Sequence, residues 1–318
     1  MITHFFTIAT TNYLPFAVSL LDSVKKHHPE FQLSICLVDY LIPKQISENK
    51  LISKYPIIQL HEIGAEEFEF ITENYNPMQL ANCSKVLFAR YLLEVKKAQQ
   101  VIFGDSDMLF FNRLPNHILK EHSLIFTPHF CSPPPLEMKR QELEVLNAGI
   151  LNGGFFKLTN SIETYAFLEW LRIRSVKECV YDFKRGIYGE QLWLNFVPLY
   201  FKDVLIEKNL GLNVAYWNLH ERKITQRDGQ FIVNDDTLLS FFHFSGWDFM
   251  QPDQISRWAL FTSSMRPDIK PILAEYHKAL VGNKYEEFIK IPNYYATNNK
   301  SKKRSFFQKL VYKLSAKK

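Results

Sequence analysis

No apolar run in this 318-residue chain approaches the ~18 residues that a membrane-spanning helix needs. The opening Met1-Ile2-Thr3-His4-Phe5-Phe6 lacks the basic stretch of a secretory signal. The four cysteines (Cys36, Cys83, Cys131 and Cys179) form no CxxC pair, which removes the common zinc and redox signatures; they read as reduced thiols of a cytosolic protein. With 11 Gly, 15 Pro and 47% hydrophobic residues, the composition excludes a low-complexity or disordered chain. Residues 300–318 hold eight basic residues and no acid, so the net +5 of the whole chain leaves −3 for residues 1–299. A mildly acidic body argues against nucleic acid as a partner, since that function wants its basic face on the folded domain.

What is present is an alternation of strands and helices. Residues 4–10 read as a buried strand, followed by a helix opened by Pro15 with Phe16, Leu20, Leu21 and Val24 on one face. Residues 33–38 and 57–63 read as strands around a helical stretch at 43–54, then come a helix at 84–95 and a fourth strand at 100–104. This order predicts the α/β class, with a mostly parallel central sheet flanked by helices. Ligands of such sheets bind beyond the carboxyl ends of the strands, where Thr10, Asp39 and Asp105 stand. Further on, helices are predicted at 137–146, 161–177 (capped by Ser161), 190–196 and 269–280. Strands are predicted at 151–158 and 238–244, with a hairpin at 225–233 around Asp228-Gly229. No linker cuts residues 1–293 into separate domains; residues 294–318 form a basic tail.

The chemistry centres on Val101-Ile102-Phe103-Gly104-Asp105-Ser106-Asp107. Two carboxylates at the end of a buried strand repel each other unless a cation or basic group offsets them. Hard divalent cations take oxygen ligands and commonly bridge a diphosphate. Phe241-Phe242-His243-Phe244-Ser245-Gly246-Trp247 adds a histidine in an apolar strand. Asp105, Asp107 and His243 then make an O,O,N donor set suited to Mn²⁺, with Mg²⁺ the alternative. Val214-Ala215-Tyr216-Trp217-Asn218-Leu219-His220 combines rings with amide and imidazole groups, a set suited to pyranose faces and hydroxyls.

From about residue 3 to 250 the chain resembles the GT-A-fold (Rossmann-like nucleotide-diphospho-sugar transferase) glycosyltransferases, and glycosyltransferase family 8 most closely. The opening strand through Ala9 and Thr10, with Asn12-Tyr13, resembles that family's nucleotide-binding start, where the Tyr stacks on uracil. Phe88-Ala89-Arg90-Tyr91-Leu92-Leu93 resembles its helix that brings an Arg to the donor diphosphate or sugar. Asp105-Ser106-Asp107 is similar to its metal motif and His243-Phe244-Ser245-Gly246 to its late metal segment. Leu151-Asn152-Gly153-Gly154 resembles the strand whose Asn touches the donor sugar, with Asn147-Ala148-Gly149 an alternative fit. Glu190-Gln191-Leu192-Trp193-Leu194-Asn195 resembles the segment flanking the reacting carbon.

The resemblance implies a metal-dependent, retaining transfer of a hexose or N-acetylhexosamine from a UDP-sugar or other nucleotide sugar. The acceptor would be a glycan or lipid-linked molecule, in bacterial-type surface polysaccharide or lipopolysaccharide synthesis. Residues 1–110 would form the nucleotide-binding half and 111–293 the acceptor half. Gln191 and Glu190 are the catalytic candidates. Ala9, Thr10, Asn12, Tyr13, Asp39, Lys85, Arg90, Ser106, Asn152, Gly153 and Gly246 would meet the donor, and Tyr216, Trp217, Asn218, His220 and Trp247 the acceptor. The sequence departs from the family at Thr10, where an acid is usual, at Leu192, and at Trp247-Asp248-Phe249, where a Lys-Pro is missing. Either Arg257 or Lys85 would then substitute for that lysine.

Two other classes compete. A non-catalytic nucleotide-sugar or glycan-binding relative would not need the intact acid pair. A haloacid-dehalogenase-type phosphohydrolase also carries Asp-x-Asp after a strand, but wants it on the first strand. In the tail, Phe306, Phe307, Leu310, Val311 and Leu314 form an apolar stripe at helical spacing among basic residues. This predicts an amphipathic helix over residues 302–315 on an anionic membrane surface, hence a cytoplasmic protein peripheral on the inner face of the cell membrane.

Overall fold

The computed structural model describes residues 2–295. In chain order the strands are β1 (Thr3–Ala9), β2 (Gln32–Leu37), β3 (Ile57–Gln59), β4 (Gln100–Gly104), β5 (Met108–Phe110), β6 (Leu124–Pro128) and β7 (Leu151–Thr159). They continue with β8 (Tyr181–Asp182), β9 (Ile187–Tyr188), β10 (Val204–Ile206), β11 (Ile224–Arg227), β12 (Gln230–Val233), β13 (Thr237–Leu238) and β14 (Phe241–His243). Seven of them build one sheet in the order β10-β6-β7-β4-β1-β2-β3. The β1–β2, β1–β4, β2–β3 and β10–β6 pairs are parallel. Strand β7 runs antiparallel to both β4 and β6.

Helices cover both faces of this sheet, as its continuous burial requires. Pro77–Glu94 and Ile162–Glu178 lie on one face, over Phe6, Val101, Phe103, Phe126 and Phe156. The rings of Phe103 and Phe156 stack at 5.0 Å. Leu14–His27 lies on the other face, against Phe5, Leu33, Ile35 and Ile102. Each fully buried Phe or Leu contributes about 1.5–3 kcal/mol relative to an exposed one. A third core, under the β5–β14 ribbon, gathers Phe242, Phe244, Trp247 and Tyr276 of the helix Lys270–Gly282.

Several elements depart from the sequence reading for local reasons. The helix expected from Ser84 begins at Pro77, because Asn76 and Gln79 form a reciprocal capping box with both bonds at 3.0 Å. The third strand stops at Gln59, where Glu62 accepts a bond from Gln59 N at 2.7 Å and winds residues 60–63 into a 3₁₀ turn. Gln191–Phe196 is likewise a 3₁₀ helix. The strand expected over 238–244 is split between β13 and β14. The hairpin holds, with Asp228 and Gly229 both at positive φ, as its tight turn demands.

Residue 294 does not open the tail. Tyr294 N donates to Asp39 Oδ1 at 2.8 Å, and Tyr295 is buried with its ring edge on Phe68. The amphipathic helix expected over 302–315 lies outside the described residues. Among the described residues no helix is long and apolar enough to cross a membrane.

Candidate active site

The acid pair follows β4 directly, and tertiary structure brings His243 to it. Strands β5 and β14 pair antiparallel with His243 opposite Met108, and Phe244 N donates to Asp107 O at 2.7 Å. His243 Nε2 then lies 3.1 Å from Asp107 Oδ1 and 4.0 Å from Asp105 Oδ2. One ligand atom from each of the three lies within 4.8 Å of the others. That spacing fits a single ion bonded at ~2.0–2.6 Å to each.

The space beneath this cluster is kept open by a glycine. A β-carbon on Gly154 would stand 2.7 Å from Asp105 Oδ2, 2.7 Å from His243 Cε1 and 2.8 Å from Asn152 Oδ1. Gly153 and Gly154 fall at the irregularity between β6 and β7, where the register slips between Phe126 and Thr127. The bulge lets the β7 backbone approach the acids, and Asp105 N donates to Gly154 O at 2.8 Å.

Lys85 is the cation built into this floor. Its buried Nζ lies 2.8 Å from Glu190 Oε1, 3.0 Å from Gly153 O and 3.4 Å from Asp105 Oδ1. Burial works against its charge, but Asp105 and Glu190 outweigh that and raise its pKa, so it stays an ammonium. Burial lifts Asp105 above the usual carboxylate range, against the pull of Lys85 and His243. Burial also opposes the ionised form of Asp107, yet the charge and hydrogen bond of His243 hold its pKa below that range. Two acids with opposite shifts beside a fixed cation form a site that still has room for positive charge.

Beside it, Gln191 is held at three points. Its Oε1 accepts from Gly153 N at 2.8 Å and from Asn152 Nδ2 at 3.3 Å, and its Nε2 donates to Ala148 O at 2.9 Å. Asn152, rather than Asn147, therefore faces this cluster; Asn147 Nδ2 bonds back to Leu143 O within its own helix. Tyr13 stacks on Phe16 at 4.8 Å and keeps about 42% of its surface open. Burial of its hydroxyl and then the Asp107 charge raise its pKa, while the Arg257 charge lowers it. Thr10 Oγ1 donates to Asn12 Oδ1 at 2.6 Å, next to the buried Ala9. Ser106 and Gly246 lie partly open beside the acid pair and the late metal segment.

Other expected residues are elsewhere. Arg90 is not at the cluster: it pairs with Glu94 at 2.9 Å and Glu169 at 3.1 Å on the outer side of its helix. Asp39 is buried, its carboxylate occupied by Thr11 N and Oγ1, Tyr40 N and Tyr294 N, so it fixes the loop rather than facing a ligand. Of the acceptor set, Asn218 is fully buried and spends its amide on Ala215 N, His129 O and Asn213 O. Trp247 is internal, with Nε1 bonded to Pro252 O and its ring against Tyr276. Trp217 is internal too, its ring edge on His243 at 5.1 Å. Tyr216 and His220 remain partly open. The sequence reading missed Asn213 and His129, which bond to His243 and Asn152; neither belongs to a pattern that periodicity or motif would single out.

Comparison with known proteins bears on this geometry. Residues 4–120 match the Glycosyl transferase family 8 model. Over that segment the chain is similar to glycosyl transferase family 8. The uncharacterized protein YfnD of Bacillus subtilis (strain 168) is 27% identical over 250 residues, covering 77% of this chain and 78% of YfnD. The glycosyltransferase GlyE of Streptococcus pneumoniae TIGR4 superposes with a TM-score of 0.50 at 13% identity, over 92% of this chain and 65% of GlyE. The bifunctional glycosyltransferase WbbM gives a TM-score of 0.51 at 12% identity, over 91% of this chain and 51% of WbbM. These two likenesses show a shared fold. The family 8 match ends at residue 120, so it includes Asp105 and Asp107 but neither His243 nor Gln191.

Proposed function

We propose that this chain is a family 8 glycosyltransferase, which moves a hexose or N-acetylhexosamine from a nucleotide sugar, a UDP-sugar by its Asn12-Tyr13 start, to a glycan or lipid-linked acceptor with retention of configuration. The observation that carries the reading is the convergence of Asp105, Asp107 and His243 across a floor left open by Gly154. A divalent cation there, Mn²⁺ or Mg²⁺, would neutralise the charge that grows on a departing diphosphate. Lys85 holds Asp105 and Glu190 in place, and Arg257, beside Tyr13, takes the diphosphate position that the family gives to lysine. Gln191 and Asn152 present amide groups where the sugar ring would lie, oriented by the Gly153 and Ala148 backbone. The departing phosphate takes the acceptor proton on the same face of the sugar. Residues 302–315 hold the enzyme on an anionic membrane surface, in surface polysaccharide or lipopolysaccharide synthesis.

The test is donor breakdown across a panel of nucleotide sugars with and without Mn²⁺. The expected result is Mn²⁺-dependent release of nucleoside diphosphate from one donor, lost in Asp107→Ala with the far-UV and thermal unfolding profiles unchanged. Release that ignores Mn²⁺ and survives Asp107→Ala would overturn the metal assignment. Binding of a nucleotide sugar with no release in the presence of acceptor glycans would favour a binding protein.

A further inference from the structure

Two buried amides join β7 to the ring of His243, and their polarity can be read without ambiguity. Gly154 N lies 3.0 Å from Asn152 Oδ1, and a peptide N–H only donates, so the oxygen of Asn152 is fixed on that side. The same oxygen lies 3.1 Å from Asn213, which must meet it with its NH₂ because two oxygens would repel. That NH₂ also reaches Thr127 Oγ1 at 3.0 Å. The remaining Oδ1 of Asn213 faces His243 Nδ1 at 3.2 Å, so that nitrogen carries a hydrogen. At the far end Asn152 Nδ2 donates to His129 Nε2 at 3.1 Å. Burial lowers the pKa of His129 to about 4, so its ring is neutral near pH 7 and has an acceptor nitrogen to offer.

Asn213 is built for this place. It is fully buried at φ +51°, a left-handed conformation that Asn adopts more readily than most residues. Asn218 Nδ2 bonds to its carbonyl at 3.0 Å, and His243 N bonds to the carbonyl of the next residue, Val214, at 2.8 Å. The edge of the Trp217 ring closes on the imidazole from another side.

We propose that Asn213 is the positioning residue for His243: it holds the Nδ1–H, so that Nε2, which donates to Asp107 in the metal-free chain, is the nitrogen turned toward the acid pair and the one that would bind the ion, with the polarity set by Gly154 N–H through Asn152. This rests on the metal-site reading above. A metal-bound histidine commonly donates its second ring N–H to a buried acceptor, which fixes tautomer and ring angle. Here the same chain of amides includes Asn152, which bonds Gln191, so the ion's ligand and the sugar-facing amides share one hydrogen-bonded unit.

The experiment titrates Mn²⁺ alone into the full chain, following free Mn²⁺ by electron paramagnetic resonance, and compares the parent with Asn213→Gly, which keeps the positive φ. Side-chain ¹⁵N spectra of the metal-free parent report which His243 nitrogen carries hydrogen, and do not depend on the variant folding. We expect a protonated Nδ1 in the parent, loss of that preference in Asn213→Gly, and Mn²⁺ binding weakened roughly 10–100-fold. If the parent binds Mn²⁺ and Asn213→Gly binds it within about twofold, or if parent His243 carries hydrogen on Nε2 alone, the positioning role is wrong and the metal site stands. If the parent binds no Mn²⁺, the metal reading fails and this inference with it.

Discussion

Lys85 Nζ and Glu190 Oε1 lie 2.8 Å apart, 105 residues from one another in sequence, with each side chain only 6% exposed. An ion pair this buried costs much of its Coulomb energy in desolvation, and removing one partner strands a charge in the interior. Lys85 also sits over the Phe103 ring, 5.0 Å from its centroid, so its charge faces both the acids and the aromatic core.

Replacing Lys85 with Met is therefore expected to destabilise the fold by about 3–5 kcal/mol. Urea unfolding of Lys85→Met, Glu190→Met and the double variant checks it, since the double variant should recover part of the loss. A cost under ~1 kcal/mol for Lys85→Met would mean that water already reaches the pair, as at surface ion pairs.

Gly154→Ala should damage the metal site far more than Gly153→Ala. The added carbon at 154 meets Asp105, His243 and Asn152 below 3.0 Å, whereas at 153 its nearest contact is Glu190 Oε1 at 3.3 Å. Mn²⁺ titration of both variants is expected to show at least a tenfold weaker Kd for Gly154→Ala, about the effect of disturbing the surroundings of a metal ligand. Equal affinities would show that the three ligands do not need the glycine.

Gln191→Ala is expected to lower kcat while leaving the donor Kd within a few fold, the pattern of an interaction made mainly in the transition state. Its amide is already held by Gly153 N and Ala148 O, so its position does not depend on bound substrate. Isothermal titration with donor, set beside initial rates, separates the two; matching losses would assign Gln191 to binding.

Acid should weaken the fold through a buried histidine. His4 is buried, bonded through Nε2 to Ser34 Oγ at 2.8 Å, and burial, helped by the Lys96 charge, lowers its pKa from 6.5 to about 4. The unfolded chain takes up that proton near pH 6.5 and the folded one does not, so stability falls as pH drops from 6.5 toward 4. The loss from this residue between pH 7 and pH 5 is about 2 kcal/mol. Denaturant unfolding of the parent and His4→Gln at both pH values tests it: the variant should show the smaller pH dependence by that amount.

Local chemistry determined much of this protein from sequence alone. Pro15, the Ser161 cap and the Asp228-Gly229 turn act over a few residues, and the elements they predict are present. The strand–helix order fixes a mostly parallel sheet, because short crossovers leave few other ways to bury both faces. Asp105 and Asp107 stand two positions apart in one turn, so their pairing never depended on the fold. What only tertiary structure decided is everything that reaches this pair from a distance. His243 arrives through the β5–β14 register, 136 residues beyond Asp107. Arg90 and Lys85 share one helix, but their five-residue separation puts them on different sides of it. Lys85 meets the acids and Arg90 the helix Ile162–Glu178. Asn218 and Trp247 read as glycan-binding by residue type, yet the core took them, since an aromatic or amide group serves a buried loop as well as a sugar. Asn213 has no local signal at all: the role proposed for it lies in which atom of a neighbour it faces, and that is set only when β7, β14 and the segment that follows β10 close on one another.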